Sequence, residues 1–193
     1  MKEDIAKRME ESISVKNNIL NDTCLIDAIE RATTIVVSAI KNGNKVIFCG
    51  NGGSAADSQH LAAELIGKFY FNRQPLPAVS LTVNTSIITA IGNDFGFDKV
   101  FARQLEGIGR TGDVLIGLST SGNSENVVEA FRIAKKIGIK TVAFTGANGG
   151  VLKDFADILI NVPSNDTPRI QEAHILIGHI ICELVEKEFV NNQ

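Results

Sequence analysis

Five short, uninterrupted apolar runs constrain this chain more than any other feature: KVIFCG (45–50), PAVSLTV (77–83), DVLIGLS (113–119), KTVAFTG (140–146) and DILINVP (157–163). A strand with one wet face alternates apolar and polar residues, whereas a run that is apolar throughout needs cover on both faces, as a strand inside a parallel sheet has. The segments between the runs read as helices. The clearest is SENVVEAFRIAKKIG (124–138), in which Val127, Val128, Phe131, Ile133 and Ala134 face the sheet and Gly138 ends the helix. Strand alternating with helix, joined by right-handed crossovers, predicts a doubly wound α/β sheet with its ligand crevice at the carboxyl ends of the strands.

Helices are also expected at both ends. Residues 1–20 and 23–42 read as two N-terminal helices, the second carrying Ile26, Ile29, Ile35, Val36 and Ile40 before Asn42-Gly43 stops it. The segment TPRIQEAHILIGHIICELVEKEF (167–189) opens with Thr167 as N-cap and Pro168 in the first turn. Its content of Ile and Leu is too high for a lone surface helix. Burial against another subunit as well as the sheet is therefore expected for it and for the N-terminal helices.

Charge and composition narrow the partners. With 19 basic and 22 acidic residues interspersed along the chain, and a formal charge of −3, there is no basic stripe to grip a phosphodiester backbone. No nucleic-acid ligand is expected. A length of 193 residues with 44% hydrophobic content suits one soluble domain over 1–193. The charged N-terminus lacks the apolar run of a secretory signal, and no later segment is apolar for long enough to span a bilayer, so the expectation is a cytoplasmic protein with no membrane partner. Cys24, Cys49 and Cys182, widely spaced among apolar neighbours, read as buried reduced thiols.

The chemistry concentrates where strands give way to helices. In STSGNSE (119–125), Ser119, Thr120, Ser121 and Ser124 surround one glycine at the start of a helix. Backbone N–H groups, the positive end of the helix dipole and these hydroxyls favour a phosphate monoester; helix capping and turn formation account for the same residues without a ligand. In CGNGGSAADSQHLAAEL (49–65) the glycines match neither the dinucleotide fingerprint nor the P-loop. There Asn51, Gly52 and Gly53 bring the backbone close to a polar ligand. On the helix that follows, Asp57, His60 and Glu64 share a face, either as a surface pair or as functional groups. The other two histidines, His174 and His179, lie on the last helix near Gln171, Glu172 and Glu183, so a mixed N/O metal site from two helices is one reading and hydrogen-bonded core histidines are the other. Asn93 and Asp94, expected just after a helix, either close a sugar site or serve as an Asx turn or helix cap.

The segments GNGGSAADSQHLAAEL, GNDFGFDKVFARQ, GDVLIGLSTSGNSENV and TPRIQEAHILIGHIICELVE, in that order, resemble the sugar isomerase (SIS) domain family, and within it the phosphoheptose isomerases, over nearly the whole chain. The resemblance implies a three-layer αβα sandwich on a five-stranded parallel sheet of flavodoxin-like type, a homotetramer with residues 1–42 contributing to its packing, and active sites assembled between subunits. It implies that Asn51, Gly52, Gly53, Glu64, Asn93, Asp94, Ser119, Thr120, Ser121, Ser124 and Gln171 contact substrate. His60, Glu64, Gln171 and His179 fall where the family binds zinc, one ion per subunit, and Glu64 and His179 also fall on its acid/base positions; His174 is not carried over. The implied reaction converts D-sedoheptulose 7-phosphate to D-glycero-D-manno-heptose 7-phosphate through an enediol, in ADP-heptose and lipopolysaccharide core biosynthesis. A catalytically silent SIS module, binding a sugar phosphate or a replication-initiator protein, is the alternative; retention of Glu64 and His179 favours the enzyme.

Overall fold

The computed structural model describes residues 1–190, so the last three positions of the expected domain lie outside the described residues. Two helices, α1 (Lys2–Leu20) and α2 (Thr23–Lys41), precede β1 (Val46–Gly50), α3 (Gly53–Ile66), β2 (Ala78–Ser80), α4 (Thr85–Phe95) and α5 (Val100–Ile108). The chain continues through β3 (Val114–Leu118), α6 (Glu125–Ile137), β4 (Lys140–Thr145), β5 (Ile158–Asn161) and α7 (Thr167–Val190). Every strand pair is parallel, and the order across the sheet is β2-β1-β3-β4-β5. That is the flavodoxin-like order, in which the winding direction reverses between β1 and β3.

The uninterrupted apolar runs find the double cover they need. Every residue of β1 and β3 is buried. Val46, Phe48, Val114, Ile116, Leu118, Val142, Phe144, Ile158 and Ile160 face the layer of α2, α3 and α7, while Ile47, Cys49, Leu115 and Ala143 face that of α5 and α6. Each large side chain so buried contributes on the order of 1.5–3 kcal/mol. The edge strands depart from expectation. β2 keeps only three residues of the 77–83 run, half-exposed at two of them, because it has one neighbour and its chain turns away at Leu81.

Other local readings need adjustment too. α6 buries Val127, Val128, Phe131 and Ala134 but leaves Ile133 half-buried, and Gly138 ends it in the left-handed conformation at φ +76°. α7 starts at Thr167 itself, with Ile170 N–H donating to Asp166 C=O, so the cap position falls on Asp166. Cys49 and Cys182 are buried as expected, and burial pushes both thiols up to about 12. Cys24 is exposed instead. Among the described residues, no helix is long and apolar enough to cross a membrane.

Candidate active site

The switch point between β1 and β3 brings together the two loops that the sequence singled out. Gly52 sits at φ +56° and ψ −123°, a conformation closed to residues with a Cβ, and this sharp turn starts α3. Asn51 does not point freely outward. Its amide exchanges two hydrogen bonds with Asn126 on the first turn of α6, at 2.8 and 2.9 Å, which ties the β1 loop to the β3 loop across the crevice. Asn126 was not among the sequence candidates; its only signal is an amide directly after the serine loop.

In that loop the Ser119 and Ser124 hydroxyls share a hydrogen bond of 2.8 Å. Ser124 is the N-cap of α6 yet makes no side-chain capping bond, and while Val127 N–H donates to the Ser124 carbonyl at 2.9 Å, the N–H groups of Glu125 and Asn126 precede the first intrahelical bond and suit an anion. Ser121 Oγ accepts from Asn123 N–H at 3.1 Å, and Asn123 Oδ1 accepts from Val151 N–H at 2.9 Å, which fixes the turn against the loop after β4. Thr120 and Ser121 line a cavity of about 290 Å³ whose far wall includes Gly146, Asn165 and Thr167. That wall was also missing from the sequence candidates, since it comes from the residue after β4, the loop after β5 and the first residue of α7.

A second cluster lies further along α3. His60 Nε2 is 3.3 Å from Glu64 Oε1 and 2.9 Å from His179 Nε2 on α7. One ring donates and the other accepts. The three donor atoms all fall within 4.8 Å of one another. Such an approach of α3 to α7 depends on Gly178, where an added Cβ would stand 2.6 Å from two carbons of Leu61. Phe69 closes one side, its ring centroid 5.7 Å from that of His179. Burial raises the Asp57 carboxyl above its ordinary range, with the charges of His60 and His179 pulling it back down. Two imidazoles and a carboxylate are a donor set suited to zinc, with a coordination position left for water or substrate.

Other candidates stay apart in the chain. Gln171 lies against Gly53, where an added Cβ would be 2.8 Å from its Nε2. Eight residues of α7, about 12 Å of helical rise, separate it from His179, and the ligand atoms that converge are those of His60, Glu64 and His179. Asn93 and Asp94 fall inside the last turn of α4 rather than after a helix, and their side chains hydrogen-bond each other and no other candidate among the described residues. His174 is wholly buried against Phe144, its Nε2 3.1 Å from Thr145 C=O, as a core histidine.

The architecture defines a doubly wound α/β domain with a serine- and glycine-rich loop at its switch point. The SIS domain family matches residues 12–146. Phosphoheptose isomerase of Clostridium acetobutylicum is 55% identical over 188 residues, 97% of this chain and 96% of that one. Phosphoheptose isomerase of Aneurinibacillus thermoaerophilus is 50% identical over 193 residues, 100% of this chain and 98% of the relative. The solved structure of phosphoheptose isomerase from Neisseria gonorrhoeae superposes with a TM-score of 0.91 at 43% identity, over 96% of this chain and 98% of that one. The chain belongs to the SIS domain family, on its phosphoheptose isomerase branch.

Proposed function

We infer that the chain is an aldose–ketose isomerase converting D-sedoheptulose 7-phosphate to D-glycero-D-manno-heptose 7-phosphate, for heptose destined for surface lipopolysaccharide. The observation that carries this reading is the convergence of Glu64 and His179 on one point. The reaction moves a proton between C1 and C2 of the sugar. Glu64, as carboxylate, takes the proton from one carbon and returns it to the other through an enediol, while His179 relays the proton between the two oxygens. Thr120, Ser121 and the N–H groups of Glu125 and Asn126 at the start of α6 hold the phosphate. His60, Glu64 and His179 would hold zinc, which when bound supplies Lewis-acid polarisation of the substrate oxygens. A silent binding module needs the anion loop but neither acid nor base, and the pairing of Glu64 with His179 favours the enzyme.

We also infer a homotetramer with sites completed by neighbouring copies. Ile5, Met9 and Ile13 form a stripe along α1 that is more than half exposed, and α4 buries no residue fully despite its isoleucines. His60 stands about 10 Å of helical rise beyond Gly53 at the crevice. That separation, with Gln171 set against Gly53 and the Asn93 amide paired with Asp94, supports their contributing to a neighbour's site. The test supplies sedoheptulose 7-phosphate in D2O and follows aldose formation together with deuterium at C2. Tight sugar-phosphate binding without turnover or exchange would sink the isomerase reading in favour of the silent module.

A further inference from the structure

The segment joining α3 to β2 contains an ion pair that the site so far leaves unused. Arg73 Nε lies 3.0 Å from Glu186 Oε1, and each side chain is only 1% exposed. The Nε–H is not aimed along a hydrogen bond, so the two groups pair through charge while their other atoms engage backbone. Glu186 accepts from the N–H groups of Phe69, Tyr70 and Phe71 at 2.8, 2.6 and 3.0 Å. Arg73 donates to the carbonyls of Glu64 at 3.0 Å, Leu65 at 2.9 Å and Gln74 at 3.0 Å. The carbonyls of Glu64 and Leu65 belong to the last turn of α3, where no intrahelical N–H remains to satisfy them.

Stability alone is a poor reason for such a pair. Taking two charges out of water is costly, and apolar residues in their place often do as well. What distinguishes this pair is the backbone it grips. Arg73 holds the residue that bears the expected base, and Glu186 holds Phe69, whose ring packs on His179. Glu186 is itself on α7, seven residues beyond His179, so the pair also binds the ends of α3 and α7 through one intervening loop.

We propose that Arg73 and Glu186 are positioning residues, which fix the Glu64 carboxylate from the end of α3 and the His179 ring through Phe69. Neither touches the reacting atoms. The proposal rests on the reading of Glu64 and His179 as the proton-transfer pair. It separates from a role in folding alone, because a positioning pair governs the geometry of the cluster while the anion loop and the distant core stay as they are.

The experiment uses the full chain with labelled histidines, of which there are three: His60, His174 and His179. His174, buried on the same α7, is the internal reference. In Glu186→Gln and Arg73→Lys, the ring resonances of His60 and His179 should shift while those of His174 stay. Turnover of sedoheptulose 7-phosphate should fall about 10- to 100-fold with KM changed less than about threefold, the pattern of a misplaced reacting group with intact binding. Unmoved His60 and His179 signals with near-normal kcat would overturn the proposal, and so would equal shifts of all three histidines, which mark a general loosening. If Glu186→Gln does not fold, Arg73→Lys decides, with shifts at His60 and His179 against an unmoved His174 expected and unmoved His60 and His179 rings overturning it. Absence of turnover in the unaltered chain would sink the isomerase reading alone, and the histidine shifts would still judge the clamp.

Discussion

Glu64 stands one helical turn from His60 and shares with it and His179 a cluster that is still open to solvent, with the His60 side chain 50% exposed. Replacing the carboxylate by an amide keeps the volume but removes the proposed base, so Glu64→Gln should lower kcat by about 10³-fold or more while the protein elutes at the same size as the unaltered chain. Turnover within tenfold of the unaltered chain would remove Glu64 from that role. Ser124 is a different case, because its hydroxyl is already paired with Ser119. In Ser124→Ala the Ser119 hydroxyl loses its partner and the loop loses an orienting bond, and affinity for the phosphorylated sugar should weaken by about 1 kcal/mol or more. Calorimetric titration with the phosphorylated sugar and its unphosphorylated analogue checks this; equal losses for both would place the phosphate elsewhere. The serines, His60 and Glu64 were legible because each motif is local in sequence. Asn126 was not, since its meaning comes from Asn51, 75 residues away, and Arg73 and Glu186 likewise only acquire a role once α3 and α7 are side by side.

At the scale of elements, the site depends on how closely α3 and α7 approach, and Gly178 sets that limit. A methyl group in Gly178→Ala would meet Leu61, which is 1% exposed and has little room to withdraw. The overpacking should cost about 1–3 kcal/mol, which lowers Tm by several degrees in a domain of this size. His60 and His179 should move apart, with a loss of metal affinity measurable by titration. Adding Leu61→Ala gives the methyl group space and should restore part of that affinity; no recovery in the double variant would show that the helix approach is not the cause. Elements were readable from sequence wherever one physical signal dominated, as with the doubly covered strands and the glycine stop of α6. The edge strand β2 was overextended because hydropathy does not report how many neighbours a strand has. α4 read as an ordinary helix, and its lack of full burial appears only once the chain is folded.

For the whole molecule, buried titratable groups set how stability responds to acid, and they act in two separate windows. Burial draws the His174 imidazole down from 6.5 to about 4, with its hydrogen bond to Thr145 pulling weakly the other way. Between those values the unfolded chain binds a proton that the folded chain does not, so stability is fully present above pH 6.5 and is lost as pH falls towards 4. A shift of this size corresponds to roughly 3 kcal/mol. Glu186 and Asp113 act lower on the scale. Burial alone would raise both carboxyls, but the loop N–H groups and Arg73 around Glu186, and Lys45 with the Arg110 N–H around Asp113, outweigh it and hold both below the ordinary carboxylate range. Their contribution is present above that range and disappears as pH drops through it. His174→Gln keeps a donor for the Thr145 carbonyl and abolishes only the upper window. Urea unfolding at fixed protein concentration, which keeps any subunit association constant, should therefore show the unaltered chain losing more stability than His174→Gln between pH 6.5 and 4, and the two curves falling together below that. Curves that stay parallel through the upper window would show that His174 is not the group that makes the core sensitive to acid.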